Sequence, residues 1–196
     1  MLKRQKKPTA LPTENEIQQE LNRVRHKRQY HSVLRSTVFS LVSAAAIVVL
    51  ICVLLMPVLR IYGASMEPTL HDGNIVICLK NSQFETGDLI GFYYNNKILV
   101  KRVIANSGDW VNIDAAGNVS VNDVPLDEPY LSEKALGNTD LEYPYQVPEN
   151  RIFVMGDHRA TSVDSRSTVV GCASQEQVVG KIVFRVWPLA DFGFLN

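Results

Sequence analysis

The chain has very little cysteine: three residues in 196, at Cys52, Cys78 and Cys172. Their number and spacing match neither a zinc site nor a disulfide framework, and Cys78 and Cys172 read as small apolar residues. Net charge is missing too, with 20 Lys+Arg against 20 Asp+Glu, which argues against a uniformly basic nucleic-acid binder. There is no internal repeat and no useful helical periodicity after residue 60. The length of 196 residues excludes a large multidomain enzyme. Most telling is the absence of any charge between Arg35 and Arg60, a run of 24 residues.

That run divides the charge. Residues 1–35 carry nine basic and three acidic side chains, net +6, and residues 36–196 carry eleven and seventeen, net −6. At 1.5 Å per residue the run reaches about 36 Å as a helix, against about 30 Å of hydrocarbon core. It reads as one transmembrane helix over 36–59, too long for the apolar part of a cleavable signal peptide. Lys3, Arg4, Lys6, Lys7, Arg23, Arg25, Lys27, Arg28 and Arg35 precede it, and basic flanks stay cytoplasmic. This predicts a cytoplasmic basic segment (1–35) and an extracytoplasmic domain (60–196) on a single-pass cell-membrane protein, with the lipid bilayer as a partner. Thr13 and Glu16 have capping-box spacing, so a polar helix is expected to start there, with residues 1–12 as a basic tail near anionic lipid.

The outer part reads as mainly β, built of short antiparallel strands. Runs rich in Val, Ile, Phe and Tyr span 74–79, 88–94, 98–105, 110–113, 119–121, 151–155 and 178–187, bounded by Gly, Asn, Asp or Pro. Segment 125–150, with four prolines among polar residues, reads as a long surface excursion.

Three stretches carry chemistry. Gly63-Ala64-Ser65-Met66-Glu67-Pro68-Thr69-Leu70 presents a hydroxyl beside a stiffening proline; alone, Ser65 reads as a turn residue. In the strand Lys97–Ala105, Leu99, Lys101 and Val103 share a face and Val100 and Arg102 take the other. Lys101 between apolar neighbours is a candidate for desolvation, which lowers an amine's pKa. The alternative is a lysine snorkelling from an edge strand. The stretch from Gly156 to Arg166 packs Asp157, His158, Arg159, Ser162, Asp164, Ser165 and Arg166 into one turn-rich platform, or else a solvated loop.

In this order the motifs resemble the type I (leader) signal peptidases, membrane-bound serine proteases with a Ser/Lys dyad. Ser65–Leu70 matches the nucleophile box and Gly87-Asp88-Leu89-Ile90 the central strand. Lys101–Ile104 with Gly108-Asp109 matches the general-base box, and Gly156–Arg159 with Ser162, Asp164, Ser165 and Arg166 the last box. The resemblance covers residues 58–188.

It implies a signal-peptidase-like β fold, Ser65 as nucleophile and Lys101 as general base. Ser162 would orient the amine, and Asp157, Asp164 and Arg166, with Arg102, would hold the loop by ion pairs. It further implies catalysis without metal or organic cofactor, and secreted preproteins as substrates, bound as extended strands with small side chains at the first and third positions before the cut. By motif position Ile61, Met66, Leu70, Leu99 and Val100 would line the pockets, or else pack the core. Ser65 lies six residues past Leu59, within about 22 Å of the membrane edge even if extended.

Two positions depart from the pattern: His158 stands where Asn is common, and Gly63 where some members place a hydroxyl for the oxyanion. Two other readings share these features, a self-cleaving Ser/Lys regulator and a non-catalytic membrane-anchored module.

Overall fold

The structure, a computed structural model, describes residues 14–195. The Thr13 cap and the tail over 1–12 lie outside the described residues. The described residues fall into two units that divide between Leu50 and Ile51.

Helix α1 (Glu14–Leu55) runs unbroken for 42 residues, with Glu14 and Glu16 in its first turn, where the helix dipole favours negative charge. By length and composition it can cross a membrane. Val38, Phe39, Leu41, Ile47 and Val48 stand exposed around it, a surface that suits lipid rather than water. Met56 N still bonds Cys52 O at 2.8 Å. Pro57 then removes a donor and forces its predecessor out of helical geometry. Val58 and Leu59, the end of the apolar run, are therefore extended in a strand.

The second unit is antiparallel β. Its strands are β1 (Val58–Arg60), β2 (Ile75–Leu79), β3 (Leu89–Tyr94), β4 (Lys97–Ala105), β5 (Trp110–Ile113), β6 (Val119–Val121), β7 (Val124–Pro125), β8 (Tyr145–Gln146), β9 (Arg151–Met155), β10 (Ala173–Ser174), β11 (Val178–Trp187) and β12 (Gly193–Phe194). The seven runs read from the sequence correspond to strands within one residue at either end. The main sheet has the order β1-β2-β11-β3-β4-β9-β10, with β12 beside β11, and a smaller one runs β7-β6-β5-β8.

Ile104, Ala105, Val111, Ile113, Val119, Val147, Phe153 and Met155 form a core shared by the two sheets. A second cluster, Ile61, Met66, Leu70, Val76, Leu89 and Ile182, underlies the turn that carries Ser65. Segment 125–150 lies mostly at the surface, as its prolines suggest, with only Glu128 and Val147 buried, but it is tied to the domain at several points. Leu126, Leu136, Leu141 and Tyr143 pack on the shared core, and β8 pairs with β5. Apolar residues at irregular spacing anchor it between the prolines, a pattern that no helical or strand period reveals.

Candidate active site

The turn carrying Ser65 is pinned at both ends. Ile61 N donates to Asn74 O (2.8 Å) and Gly73 N to Ile61 O (2.9 Å), while Gly63 N donates to Asp72 Oδ1 (2.8 Å). Gly63 has φ +84°, which a side chain would strain. Met66 and Leu70 are buried beneath, and the Ser65 carbonyl accepts from His158 N at 3.1 Å. The Ser65 amide has no acceptor among the described residues.

Strand β4 brings Lys101 to this turn. β3 pairs β4 from Lys97 to Arg102, and β9 pairs it only from Arg102 onward, so the edge at Leu99 and Val100 has no second strand among the described residues. Lys101 is 3% exposed, not snorkelling. Its Nζ lies 2.8 Å from Ser65 Oγ and 2.9 Å from Ser162 Oγ. Burial drives its pKa down from 10.5 to about 8; Arg166 pushes the same way, while Asp164 and Asp157 resist. Loss of water outweighs the acids because each acid is already paired.

Arg102 clasps Asp157 with two bonds, Nε to Oδ1 (2.9 Å) and Nη2 to Oδ2 (2.6 Å). It also donates to Gly87 O (2.6 Å), and its guanidinium lies 3.8 Å from the centre of the Tyr130 ring. Thr69 Oγ1 donates to Asp157 Oδ2 (2.5 Å), tying the Ser65 turn to the same carboxylate. Arg166 clasps Asp164 through Nε and Nη2, each at 2.9 Å, and donates to Leu136 O (2.7 Å). Asp164 Oδ2 accepts from Gly156 N (2.9 Å). Burial alone would push the Asp164 carboxyl up; the Arg166 guanidinium overrides it and holds the group below the usual range. A methyl group on Gly156 would collide with Ser162 Oγ and the Ser65 carbonyl, so this closeness requires glycine.

The structure thus brings Ser65, Lys101 and Ser162 into contact, with Asp157, Asp164, Arg102 and Arg166 as two closed pairs around them. A cleft of about 820 Å³ opens on Ser65 and Lys101, and Ile61, Met66, Leu99 and Val100 line it. Leu70 does not: it is fully buried in the cluster below the turn, because its position puts it on the inner side of the turn. Sequence reasoning missed Leu59, Tyr62, Tyr93 and Ile98 on the cleft walls; of these only Ile98, which shares a strand face with Val100, had a usable signal. It gave no role to Thr69 or Tyr130, which meet Asp157 and Arg102. No hydrogen bond or ion pair joins the His158 side chain to Ser65 or Lys101 among the described residues. Cys78 and Cys172 are free thiols, and burial pushes Cys78 up to about 11, which makes it a poor nucleophile.

A buried amine between two hydroxyls on a β scaffold is a protease-like arrangement, and comparison with known proteins agrees. Residues 34–187 match the family described as "Signal peptidase, peptidase S26". The chain is similar to Signal peptidase I of Bacillus caldolyticus, at 40% identity over 151 residues covering 67% of this chain and 80% of that protein. It is also similar to Signal peptidase IB of Staphylococcus aureus (strain MRSA252), at 35% over 155 residues covering 68% and 79%. Thylakoidal processing peptidase 1, chloroplastic, of Arabidopsis thaliana is 34% identical over 143 residues covering 64% of this chain. The match spans only 40% of that plant protein's length. With the match running through the turn of Ser65, strand β4 and the Gly156–Arg166 loop alike, the chain belongs to the peptidase S26 family of signal peptidases.

Proposed function

We propose that this chain is a membrane-anchored serine endopeptidase that removes signal peptides from exported preproteins on the outer face of the membrane. The carrying observation is Lys101 Nζ, 2.8 Å from Ser65 Oγ on a side chain 3% exposed. With a pKa of about 8, about a tenth of the lysine is neutral at pH 7, against about one part in three thousand at the usual value.

In the neutral form the Ser65 hydroxyl donates to Nζ. As Oγ attacks the scissile carbonyl, Nζ takes the proton, and the ammonium then protonates the leaving amine. The ester left on Ser65 is hydrolysed by a water that loses its proton to the same Nζ; as the C–Oγ bond breaks, the ammonium returns that proton to Ser65 Oγ, leaving the amine neutral. Ser162 Oγ, 2.9 Å from Nζ, keeps the amine aimed throughout. The Ser65 amide supplies a donor for the oxyanion, a kind of contact whose loss costs about 2.7–4 kcal/mol.

The substrate lies extended along the free edge of β4, with small side chains in shallow pockets walled by Ile61, Met66, Leu99 and Val100. Helix α1 anchors the enzyme, and the basic flank before it keeps the N-terminus cytoplasmic.

The test is cleavage of a preprotein by the purified full chain in detergent, beside Ser65→Ala and His158→Asn. The reading expects the first variant to be dead, with a loss of about a thousandfold or more, and the second to be active. Comparable cleavage by Ser65→Ala, or none by the wild type, would reject a serine mechanism; loss of activity in His158→Asn alone would show that the base is misassigned.

A further inference from the structure

One fully buried ion pair has no part in the mechanism above. Glu128, in the segment after β7, meets Arg159 at 2.5 Å, and both side chains are 0% exposed. The Arg102 and Arg166 pairs each close two bonds, whereas this pair closes one. Glu128 Oε2 and Arg159 Nη1 are buried with no partner among the described residues. Burying two charges for one contact gives little net stability, because desolvation is offset only when the remaining polar atoms are also satisfied. The pair is therefore better explained by what it holds in place.

It holds the turn beside the reactive groups. Arg159 Nε donates to Gly156 O at 3.1 Å. On the same turn His158 N donates to Ser65 O and Ser162 N to His158 O, and Ser162 Oγ touches Lys101 Nζ. A second arm leaves Glu128 in the other direction. Its Oε1 accepts from Tyr130 OH at 3.2 Å, and the Tyr130 ring lies against the Arg102 guanidinium, one residue from Lys101. Glu128 thus sits at the junction of two chains of contacts that converge on one amine.

We propose that Glu128 is a positioning residue of the Ser65/Lys101 site. Through Arg159 it sets the Gly156–Ser162 turn, and through Tyr130 it steadies the Arg102 side of β4, so that Lys101 stays lodged between its two hydroxyls. This rests on the function proposed above and extends it to a residue outside the four motifs.

The experiment uses the full chain in detergent with a preprotein substrate. Glu128→Leu/Arg159→Met removes both charges together, so neither is left buried alone. It should melt no lower than wild type, while kcat falls about ten- to a hundredfold, the scale of a slight misplacement of reacting groups, and KM stays within about threefold. The acid limb of kcat/KM should move to higher pH. That limb follows Lys101, faced by Asp157, Asp164 and Arg166, and a loosened turn readmits water to the amine. A purely structural role would change the amount of folded enzyme and leave the limb in place.

Glu128→Asp keeps both charges and draws the carboxylate back by one methylene. It should show a smaller fall in kcat and the same direction of limb shift, and it decides the matter if the double variant does not fold. Wild-type kcat and an unmoved limb in the folded variants overturn the inference while a dead Ser65→Ala leaves the dyad standing. An active Ser65→Ala overturns both.

Discussion

Replacing Lys101 with methionine removes the amine and keeps a flexible side chain of similar length. In the wild type the amine titrates near 8 when folded, against 10.5 ordinarily. Between those values the unfolded chain binds more protons at this site than the folded one, so stability rises with pH across that window. Below it the folded state carries a penalty of about 3 kcal/mol, which the methionine variant lacks. The variant also loses the contacts with Ser65 and Ser162, about 1 kcal/mol each. At pH 7 it should accordingly be as stable as wild type or better by roughly 1 kcal/mol.

The pH dependence is the sharper quantity, because the lost contacts cancel from it. From pH 7 to pH 9.5 the wild type should gain about 2 kcal/mol on the variant. Urea unfolding of both full-length proteins in one detergent, followed by tryptophan fluorescence at several pH values, measures this directly. The same variant should fail to cleave preprotein. A stability difference that stays flat with pH, or a variant several kcal/mol weaker at pH 7, would refute the desolvated amine, and cleavage by the variant would refute its role as base.

Ser162→Ala should lower kcat about tenfold with little change in KM, the worth of one hydrogen bond to a group that becomes charged, as read in steady-state cleavage. Gly156→Ala should cost about a hundredfold or more in kcat/KM, because the added methyl pushes Ser162 Oγ and the Ser65 carbonyl apart. Arg166→Met leaves Asp164 buried and unpaired, so thermal melts should show a loss of about 3–5 kcal/mol. The acid limb of its residual activity should lie at higher pH than in wild type, since the released carboxylate favours the Lys101 ammonium.

The strands were legible because β-branched and aromatic runs ended at turn residues: Asn95-Asn96 between β3 and β4 and Asn122-Asp123 between β6 and β7 mark such ends in the sequence itself. Strands β7, β8, β10 and β12 are two residues long, too short for any period to register, and β1 overlaps the end of the uncharged apolar run, which masks it. The helix ends at Leu55, four residues before the uncharged run does, because Pro57 rather than the return of charge terminates it. Ser65, Lys101 and Ser162 stood out only as members of separate motifs. That Lys101 is covered rather than solvated depends on a loop more than fifty residues downstream closing over it, and alternation within β4 says nothing of that. Glu128 was invisible because an acid between Asp127 and Pro129 looks solvated, and only the position of Arg159 in space makes it otherwise.

Why a lysine amid so many carboxylates should release its proton more easily than usual comes down to pairing. The charges that face Lys101 are Asp164, Arg166 and Asp157, and each acid is closed by a guanidinium, Asp157 by Arg102 and Asp164 by Arg166. A closed pair acts at a distance as a small dipole, and its pull on an ammonium is mostly cancelled. An open carboxylate at roughly 5 Å, with an effective dielectric of about 20, would attract the ammonium by about 3 kcal/mol, comparable with the whole net depression of the amine from 10.5 to about 8. The outcome therefore turns on whether the acids are occupied, not on how many there are. Arginine suits this work because its planar fork satisfies both carboxylate oxygens and stays charged at any relevant pH. The loop needs charged groups to hold its shape in a buried place, and it needs them matched so that holding the shape does not also tighten the hold of Lys101 on its proton.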